Sequence, residues 1–290
     1  MNLIEKAAKH LAESNALFSS RAPVPSTLPI SNNVDRASDR PDVQPFSSNS
    51  VSPQLDIDLG LLAAAGFVTP NFPKSVIAEQ FRVLKRPLLA NLSSRSGKVI
   101  DKPNLIMVTS ALPREGKTFT AVNLAISIAM ELDQTVLLID ADVARPSLPR
   151  VLGLPEKKGL LDVLRDKSLP FGDVIFKTNI EKLNVVMAGT PNSKATELLA
   201  SRTMIDLLDE IAKRYPDRVI VFDSPPLLVT TESRVLASHM GQIVFVVQAE
   251  QTLQSALKDG LKMIQACPVK YMMLNQAKYA GQETYGYGYT

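Results

Sequence analysis

Residues 104–119 read NLIMVTSALPREGKTF, an apolar run that passes into a loop and then into a helix-length segment. The run as far as Ala111 is mostly apolar, which indicates a strand buried on both faces. The loop after it follows the phosphate-binding pattern, with Ala111 in place of the first glycine. A loop of this kind points backbone N–H groups and the positive end of the next helix at a polyphosphate. The stretch therefore predicts a nucleotide site between a strand and a helix.

This loop supplies most of the predicted nucleotide contacts. Lys117 is expected to reach the β and γ phosphates, and Thr118 is expected to bind Mg²⁺ through its hydroxyl. Arg114 is a further candidate, whose side chain could point toward the nucleotide, toward a subunit interface, or to neither. The predicted nucleotide-binding residues of the loop are Ala111, Arg114, Glu115, Gly116, Lys117, Thr118 and Phe119.

The sequence after residue 102 alternates apolar runs with helix-length segments. The later runs are TVLLIDAD, LNVVMAG, RVIVFDSPP, QIVFVVQ and VKYMMLN. The helix-length segments include residues 118–132, 196–214 and 253–266. Runs that are apolar on both faces and are separated by helices indicate a parallel sheet covered on both sides. We therefore predict an α/β fold of the P-loop NTPase type, with a mostly parallel sheet and helices on both faces.

Three carboxylates come at the ends of predicted strands. Asp140 and Asp142 close the run TVLLIDAD, and Asp223 closes the run RVIVFD. Open α/β sheets build their sites beyond the carboxyl ends of the strands, where carboxylates this close repel one another unless a cation or a donor compensates. Mg²⁺ would be that cation. In the alternative interpretation, Asp140 and Asp142 only cap the next helix or pair with Arg145.

The N-terminal part of the chain has a different character. Residues 1–18 carry apolar side chains at helical spacing and predict one amphipathic helix, which could dock on the protein itself, on a partner or on a membrane surface. Residues 19–57 are rich in Ser, Pro, Asn and Asp, a composition that predicts a disordered linker. Residues 58–102 are expected to be helical, with Pro87 kinking or ending the helix SVIAEQFRVLKRPLLANL.

The bulk composition limits the class of protein. With 45% hydrophobic and 21% charged residues among 290, the chain is an ordinary globular protein. A net charge of +3 without a Lys/Arg block predicts that it does not bind nucleic acid. The single cysteine excludes an intrachain disulfide and suits a reducing cytoplasm. No apolar window is long enough to span a membrane, so neither a membrane span nor export is expected.

A tail of residues 279–290 follows the predicted nucleotide-binding domain of residues 103–278. Three of the six tyrosines, Tyr285, Tyr287 and Tyr289, are separated only by single glycines. On its own, this pattern would suit an edge strand or a disordered end.

Taken together, these motifs resemble those of a known family. ALPREGKT, LLIDADVARP and VIVFDSPP are similar to the Walker A, Walker A′ and Walker B motifs of the bacterial tyrosine kinases of polysaccharide biosynthesis, the BY-kinases. GLLDVL, ELLAS and the tyrosine-rich tail resemble that family too, and the resemblance runs from about residue 75 onward. LIEKAAKHL, GFVTP and FRVLKRPLLAN resemble the exosortase-associated tyrosine autokinases more narrowly. The implied fold is the deviant Walker, or MinD-like, form of the P-loop NTPases.

The resemblance implies that the γ-phosphate of ATP is transferred to tyrosines of the tail, on a neighbouring subunit of a ring. Tyr285, Tyr287 and Tyr289 are the implied targets, with Tyr279 as a further one. Glycines between tyrosines leave a chain able to enter a neighbour's site.

The resemblance also assigns roles to the candidate site residues. Asp140 polarises or deprotonates the attacking tyrosine, whose hydroxyl has a pKa of about 10 and is a poor nucleophile at neutral pH. Asp142 and Asp223 organise Mg²⁺ together with Thr118. Asn275, just after the last predicted strand, contacts the adenine.

The segment EQFRVLKR matches the family's oligomerisation element only in part. Glu79 and Arg82 agree with it, whereas Lys85 replaces an arginine and cannot make the same bidentate contact. The alternative is a solvated helix face with a pair of charges three residues apart. Further implied partners are a separate transmembrane activator of the chain-length-determinant type and a tyrosine phosphatase. The implied location is the cytoplasm, at the inner face of the plasma membrane and held there by the activator.

Other functions remain open at this stage. A partition or cell-division ATPase of the same group would switch its dimerisation with ATP, but it carries a signature lysine where this chain has Leu112. A nucleotide-binding regulator with little activity is a second alternative, with Arg114 as its possible lesion. A small-molecule kinase would need a lid or an acceptor module, and the sequence shows neither.

Overall fold

The computed structural model of the chain describes residues 54–92, 100–214 and 218–278. The predicted N-terminal helix, most of the predicted linker, and the tail with Tyr279, Tyr285, Tyr287 and Tyr289 lie outside these residues. Within the described ranges, no helix has both the length and the apolar character needed to cross a membrane.

The described residues form an eight-stranded sheet. Its strands are β1 (Gln54–Leu55), β2 (Leu105–Ser110), β3 (Thr135–Asp140), β4 (Phe176–Thr178), β5 (Leu183–Val186), β6 (Arg218–Asp223), β7 (Gln242–Gln248) and β8 (Val269–Asn275). Their order is β1-β4-β5-β3-β6-β2-β7-β8, and every neighbouring pair is parallel except β4 and β5. All six strands expected from the apolar runs are present, and the mostly parallel sheet is confirmed.

Helices cover both faces of this sheet. They are α1 (Leu59–Ala64), α2 (Val76–Ala90), α3 (Lys117–Ala129), α4 (Leu148–Leu152), α5 (Leu160–Arg165), α6 (Ala195–Leu199), α7 (Arg202–Arg214), α8 (Glu232–Ser238) and α9 (Gln254–Met263). Alternate residues of the central strand β2 enter two different hydrophobic cores. Ile106 and Val108 lie in the core with α3, and Leu105 and Met107 lie in the core with α7. This two-sided burial is why the strands read as continuous apolar runs.

One predicted helix is in fact two. The segment 196–214 breaks after α6 and resumes at α7. The hydroxyl of Ser201 donates to the Leu198 carbonyl at 2.6 Å and accepts from the Met204 N–H at 3.3 Å. This side chain therefore ends one helix and caps the next, because a serine hydroxyl competes with the backbone for both groups.

The predicted linker extends too far along the chain. Residues 54 and 55 pair with β4, and both Leu55 and Ile57 are buried. The side chain of Asn179 pairs with the backbone of Ile57 through two hydrogen bonds of 2.9 Å, one in each direction. A polar stretch is thus ordered by partners more than 100 residues away, so the folded region begins no later than residue 54.

The segment between β1 and β2 belongs to the same core as the sheet. Phe81 on α2 is fully buried, and its ring lies 6.4 Å from that of Phe119 on α3. Of the two outcomes expected at Pro87, a kink or an end of the helix, the end is wrong, since α2 continues to Ala90. Pro87 removes the hydrogen bond to the carbonyl of Val83. Because Val83 is 74% exposed, that carbonyl lies on the solvent side, where water can replace the lost donor.

Candidate active site

The phosphate-binding loop connects β2 to α3, as the sequence predicts. Two residues of the loop have left-handed backbone, Arg114 with φ 69° and Gly116 with φ 95°. A Cβ at residue 116 would also force the side-chain amide of Asn275 to move, but the left-handed backbone is the main reason for glycine at this position. Helix α3 begins directly at Lys117, which places the helix N-terminus at the loop.

Two of the three predicted carboxylates face one another across neighbouring strands. Asp140 ends β3 and Asp223 ends β6, and the two residues are direct partners in the parallel register. Both are fully buried. Parallel strands end at the same edge of a sheet, and this alone brings two distant aspartates together at the mouth of the loop.

Asp223 is a buried acid without a hydrogen-bond partner. Neither carboxylate oxygen accepts a hydrogen bond within the described residues. Burial raises the pKa of Asp223 to about 7, while the neighbouring Thr118 hydroxyl and Lys117 ammonium lower it. Orphaned, fully buried carboxylate oxygens are rare in folded proteins and indicate a missing partner. A divalent cation with its water shell fits this position, because oxygen ligands of this kind are those that Mg²⁺ prefers.

The carboxylate of Asp140 is bonded to backbone groups of the segment that follows it. Its carboxylate accepts hydrogen bonds of 3.2 Å from the backbone N–H groups of Asp142, Ser147 and Leu148. Two of these donors belong to the start of α4, so Asp140 does cap the next helix, as the alternative interpretation held. Burial, and next the charge of Asp223, raise the pKa of Asp140 well above its usual value. In this arrangement no surface of Asp140 is open to a substrate.

Asp142 has the more open position. It is partly exposed, and burial raises the pKa of its carboxyl, while the nearby Lys117 and Arg145 lower it. Glu232, at the start of α8, raises the pKa of Asp142 further and is itself 4% exposed. Sequence reasoning missed Glu232, because its only local signal was an acidic residue at a helix start.

Lys117 and Thr118, the last residues of the loop sequence, lie next to these acids. Lys117 is buried and close enough to influence the charge of both Asp142 and Asp223. The hydroxyl of Thr118 forms a 2.9 Å hydrogen bond with that of Ser147, a residue the sequence did not indicate. The structure thus brings Lys117, Thr118, Asp142 and Asp223 together. Within residues 54–92, 100–214 and 218–278, no group of three His, Cys, Asp or Glu side chains could hold a metal by itself.

The other predicted nucleotide contacts differ in what their side chains touch. The ring of Phe119 packs on Phe67, with centroids 4.8 Å apart, so only its backbone amide could serve a nucleotide. The side chain of Glu115 is buried and bonded within the protein. Asn275 donates to the Glu115 carbonyl at 3.0 Å, which leaves its amide oxygen for another partner. Arg114 is exposed, and Ala111 is buried.

The predicted oligomerisation element divides between surface and core. Glu79 and Arg82 pair with one another on the exposed face of α2. Lys85 is buried: its ammonium donates to the Ser127 carbonyl and pairs with Glu131 at 2.7 Å. Lys85 is therefore not available to a neighbouring subunit, which corrects the role expected from the family pattern.

Replacing Lys85 with methionine should destabilise the protomer. The change leaves the Ser127 carbonyl without its donor and should lower the free energy of unfolding by about 1–3 kcal/mol. Glu79→Gln is the matched comparison, since it changes only the exposed pair with Arg82, which contributes less than about 0.5 kcal/mol. Urea denaturation of both variants measures the difference, and equal stabilities would contradict the burial of Lys85.

Comparisons with known proteins show which proteins this chain is similar to. A family model described as an AAA domain matches residues 113–273. Tyrosine-protein kinase YwqD of Bacillus subtilis (strain 168) is 30% identical over 217 residues, which make up 74% of this chain and 87% of that protein. The kinase domain of the Escherichia coli tyrosine kinase ETK superposes with a TM-score of 0.59 at 25% identity, covering 74% of this chain and 83% of that one.

A more distant structure shares only the fold. The septum site-determining protein MinD of Pyrococcus horikoshii OT3 superposes with a TM-score of 0.50 at 22% identity, over 58% of this chain and 68% of that one. The MinD-like architecture expected from the motifs is thereby confirmed, whereas the narrower exosortase-associated subgroup stays a prediction. With its AAA domain and its likeness to these kinases in sequence and structure, the chain belongs to the bacterial protein-tyrosine kinases, the BY-kinases.

Proposed function

We propose that the protein is an ATP-dependent tyrosine autokinase that phosphorylates the tyrosine cluster of its own tail, on a neighbouring subunit, and so regulates exopolysaccharide polymerisation or export. The observation that carries the proposal is the unpartnered, buried Asp223 beside Lys117 and Thr118. A carboxylate kept in this state suits a cation that arrives with a nucleotide. Membership of the tyrosine-kinase family suggests the reaction, and the tyrosines of the tail are the proposed phosphate acceptors.

ATP would bind along the loop and at the start of α3. Backbone N–H groups of the loop would receive the phosphates, and Lys117 would neutralise charge on them. Thr118, Asp142 and Asp223 would hold Mg²⁺, which supplies charge neutralisation at the phosphate oxygens. The free amide oxygen of Asn275 is an acceptor for the amino group of adenine.

Transfer requires a proton acceptor for the tyrosine. The phenol oxygen forms a bond to the γ-phosphorus, the bond from that phosphorus to the bridging oxygen of ADP breaks, and the phenol proton passes to a carboxylate. Asp140 remains the proposed acceptor, on the condition that residues 142–148 shift when the tyrosine arrives. Asp142 is partly exposed already and is the acceptor if they do not.

Assembly and location complete the proposal. Near the Glu79–Arg82 pair, α2 exposes the apolar side chains of Val76 and Val83, and Phe72 is exposed just before it. A charged pair among exposed apolar groups suits a contact between copies. We therefore propose a homo-oligomer, of ring form in the family pattern, that meets a separate transmembrane activator at the inner face of the plasma membrane. A tyrosine phosphatase would reverse the reaction.

A partition-type ATPase switch is the alternative function. It would use the same loop and the same acids, but Leu112 replaces its signature lysine and the tail tyrosines would have no role. The likeness to MinD concerns the fold alone and gives the switch no further support.

A mixing experiment tests the proposal and its trans character together. One chain carries Lys117→Met and keeps its tyrosines, and the other keeps Lys117 but carries phenylalanine at Tyr285, Tyr287 and Tyr289. Incubated separately with Mg-ATP, neither chain should gain phosphate on these positions. Mixed, the Lys117→Met chain should become phosphorylated on its tail. A mixture that hydrolyses ATP without phosphotyrosine, even with the activator's cytoplasmic segment added, would favour the switch.

A further inference from the structure

A buried carboxylate belongs to the phosphate-binding loop itself. Glu115 is 2% exposed, and each of its oxygens accepts one donor: the backbone N–H of Leu112 at 2.7 Å and the hydroxyl of Thr252. A negative charge in a loop that receives a polyanion opposes binding. The Glu115 carboxylate is therefore expected to have a role other than direct contact with the nucleotide.

Thr252 connects the loop to the segment between β7 and α9. Its hydroxyl donates to Glu115 and accepts from the backbone N–H of Gln248 at 3.0 Å. The hydroxyl thus has a filled donor and a filled acceptor position, which fixes its direction. A hydrogen bond to a charged acceptor is about twice as strong as a neutral one.

A second set of contacts reaches the same loop from the end of β8. Asn275 donates to the Glu115 carbonyl at 3.0 Å, and the side chain of Gln276 approaches the Arg114 carbonyl at 3.5 Å. Gln276 also accepts from the side chain of Gln248 at 2.7 Å. The loops that follow β7 and β8 are therefore bonded both to the phosphate-binding loop and to one another.

Left-handed backbone occurs in all three of these loops. Arg114, Glu250 and Gln276 have φ angles of 69°, 61° and 58°, and none of them is glycine. Such conformations persist only where the surrounding contacts hold them. The three-loop arrangement is thus held in a shape that the isolated segments would not keep.

We propose that Glu115 and Thr252 are a positioning pair that holds the phosphate-binding loop in its receiving shape before nucleotide arrives. A loop fixed in advance binds more tightly, because the ligand does not have to order it. The inference depends on the proposed binding of ATP at this loop, but not on transfer of phosphate to tyrosine. In this proposal the Glu115 side chain positions the loop and does not contact the nucleotide directly.

Thr252→Val and Thr252→Ser in the full chain test the pair. Valine keeps the shape of threonine and removes the hydroxyl, whereas serine keeps the hydroxyl. Binding of a fluorescent N-methylanthraniloyl-ADP with Mg²⁺ is measured, together with the thermal midpoint of the nucleotide-free protein. Valine should raise the dissociation constant about tenfold or more and slow association, and it should also lower the midpoint by a few degrees, because the buried Glu115 carboxylate loses a donor. Serine should restore affinity to within about threefold of wild type.

Two results would overturn the pairing. One is a Thr252→Val protein that binds the probe as tightly as wild type, and the other is a Thr252→Ser protein as weak as the valine variant. If the valine variant does not fold, Glu115→Gln carries the same test, since its amide cannot accept both donors. Wild-type binding without any phosphotyrosine would remove the kinase proposal and leave this one standing.

Discussion

Lys117→Met is expected to reduce autophosphorylation by about a thousandfold or more while the protein remains folded. Lys117 lies at the start of α3, 8% exposed, and influences the charge of Asp142 and Asp223. In the proposed function its ammonium neutralises the terminal phosphates, where negative charge is concentrated during transfer. Methionine fills the same volume but leaves that charge without compensation. Phosphotyrosine formed per minute from Mg-ATP measures the effect.

Two comparisons make this result specific. Lys182→Met removes a lysine whose ammonium donates to the carbonyls of Glu131 and Leu132, away from the loop, and should keep wild-type activity. Lys117→Arg keeps the charge in a larger and planar group and should recover only part of the rate. A Lys117→Met protein that retains a tenth of the wild-type rate would exclude the proposed role.

Asp223→Asn should have opposite effects on activity and stability. Activity should fall by about 10²–10³-fold, because the site loses a charge that organises the cation. At pH 8, however, the nucleotide-free variant should be more stable than the wild type by on the order of 2 kcal/mol, since it does not bury a carboxylate charge that desolvation disfavours. Urea denaturation without Mg²⁺ gives the stability, and the autophosphorylation rate gives the activity.

The sign of this stability effect follows from the pKa of Asp223. The folded protein raises that pKa from its ordinary value of 3.8 to about 7. Between these values the folded chain keeps a proton that the unfolded chain releases, so the stability of wild type falls as the pH rises from about 4 to 7. The full shift corresponds to a loss of at most about 4 kcal/mol. The advantage of Asp223→Asn should therefore be complete at pH 8 and absent near pH 4.

A surface acid provides the control for this experiment. Asp206→Asn changes an exposed carboxylate that pairs with Arg202 on α7, and should alter stability by less than about 0.5 kcal/mol at either pH. An Asp223→Asn protein that is less stable than wild type at pH 8 would show that the acid has a partner there.

The sequence predicts the centre of this fold well because its signals are local. The runs QIVFVVQ and VKYMMLN coincide with β7 and β8 residue for residue. The convergence of Asp140 and Asp223 also follows from sequence, since both end strands of one parallel sheet. Apolar runs and strand ends can be read without knowing any distant partner.

The errors arise where a distant partner decides the outcome. The strand β1 lies in a polar stretch that is paired with β4 and held by Asn179. Lys85 turns inward because it finds a carbonyl 42 residues along the chain. For Asp140 the sequence left two interpretations open, and in the structure its carboxylate caps its own following helix. Burial and distant partners of this kind are set by the tertiary structure, so a local sequence pattern does not predict them.

Phosphate transfer to the tail can be mapped by mass spectrometry on the purified full chain after incubation with Mg-ATP. We expect phosphate on Tyr285, Tyr287 and Tyr289, and none on these residues in the Lys117→Met chain. Phosphate confined to other residues, or ATP hydrolysis without any phosphotyrosine in the presence of the activator's cytoplasmic segment, would contradict this expectation.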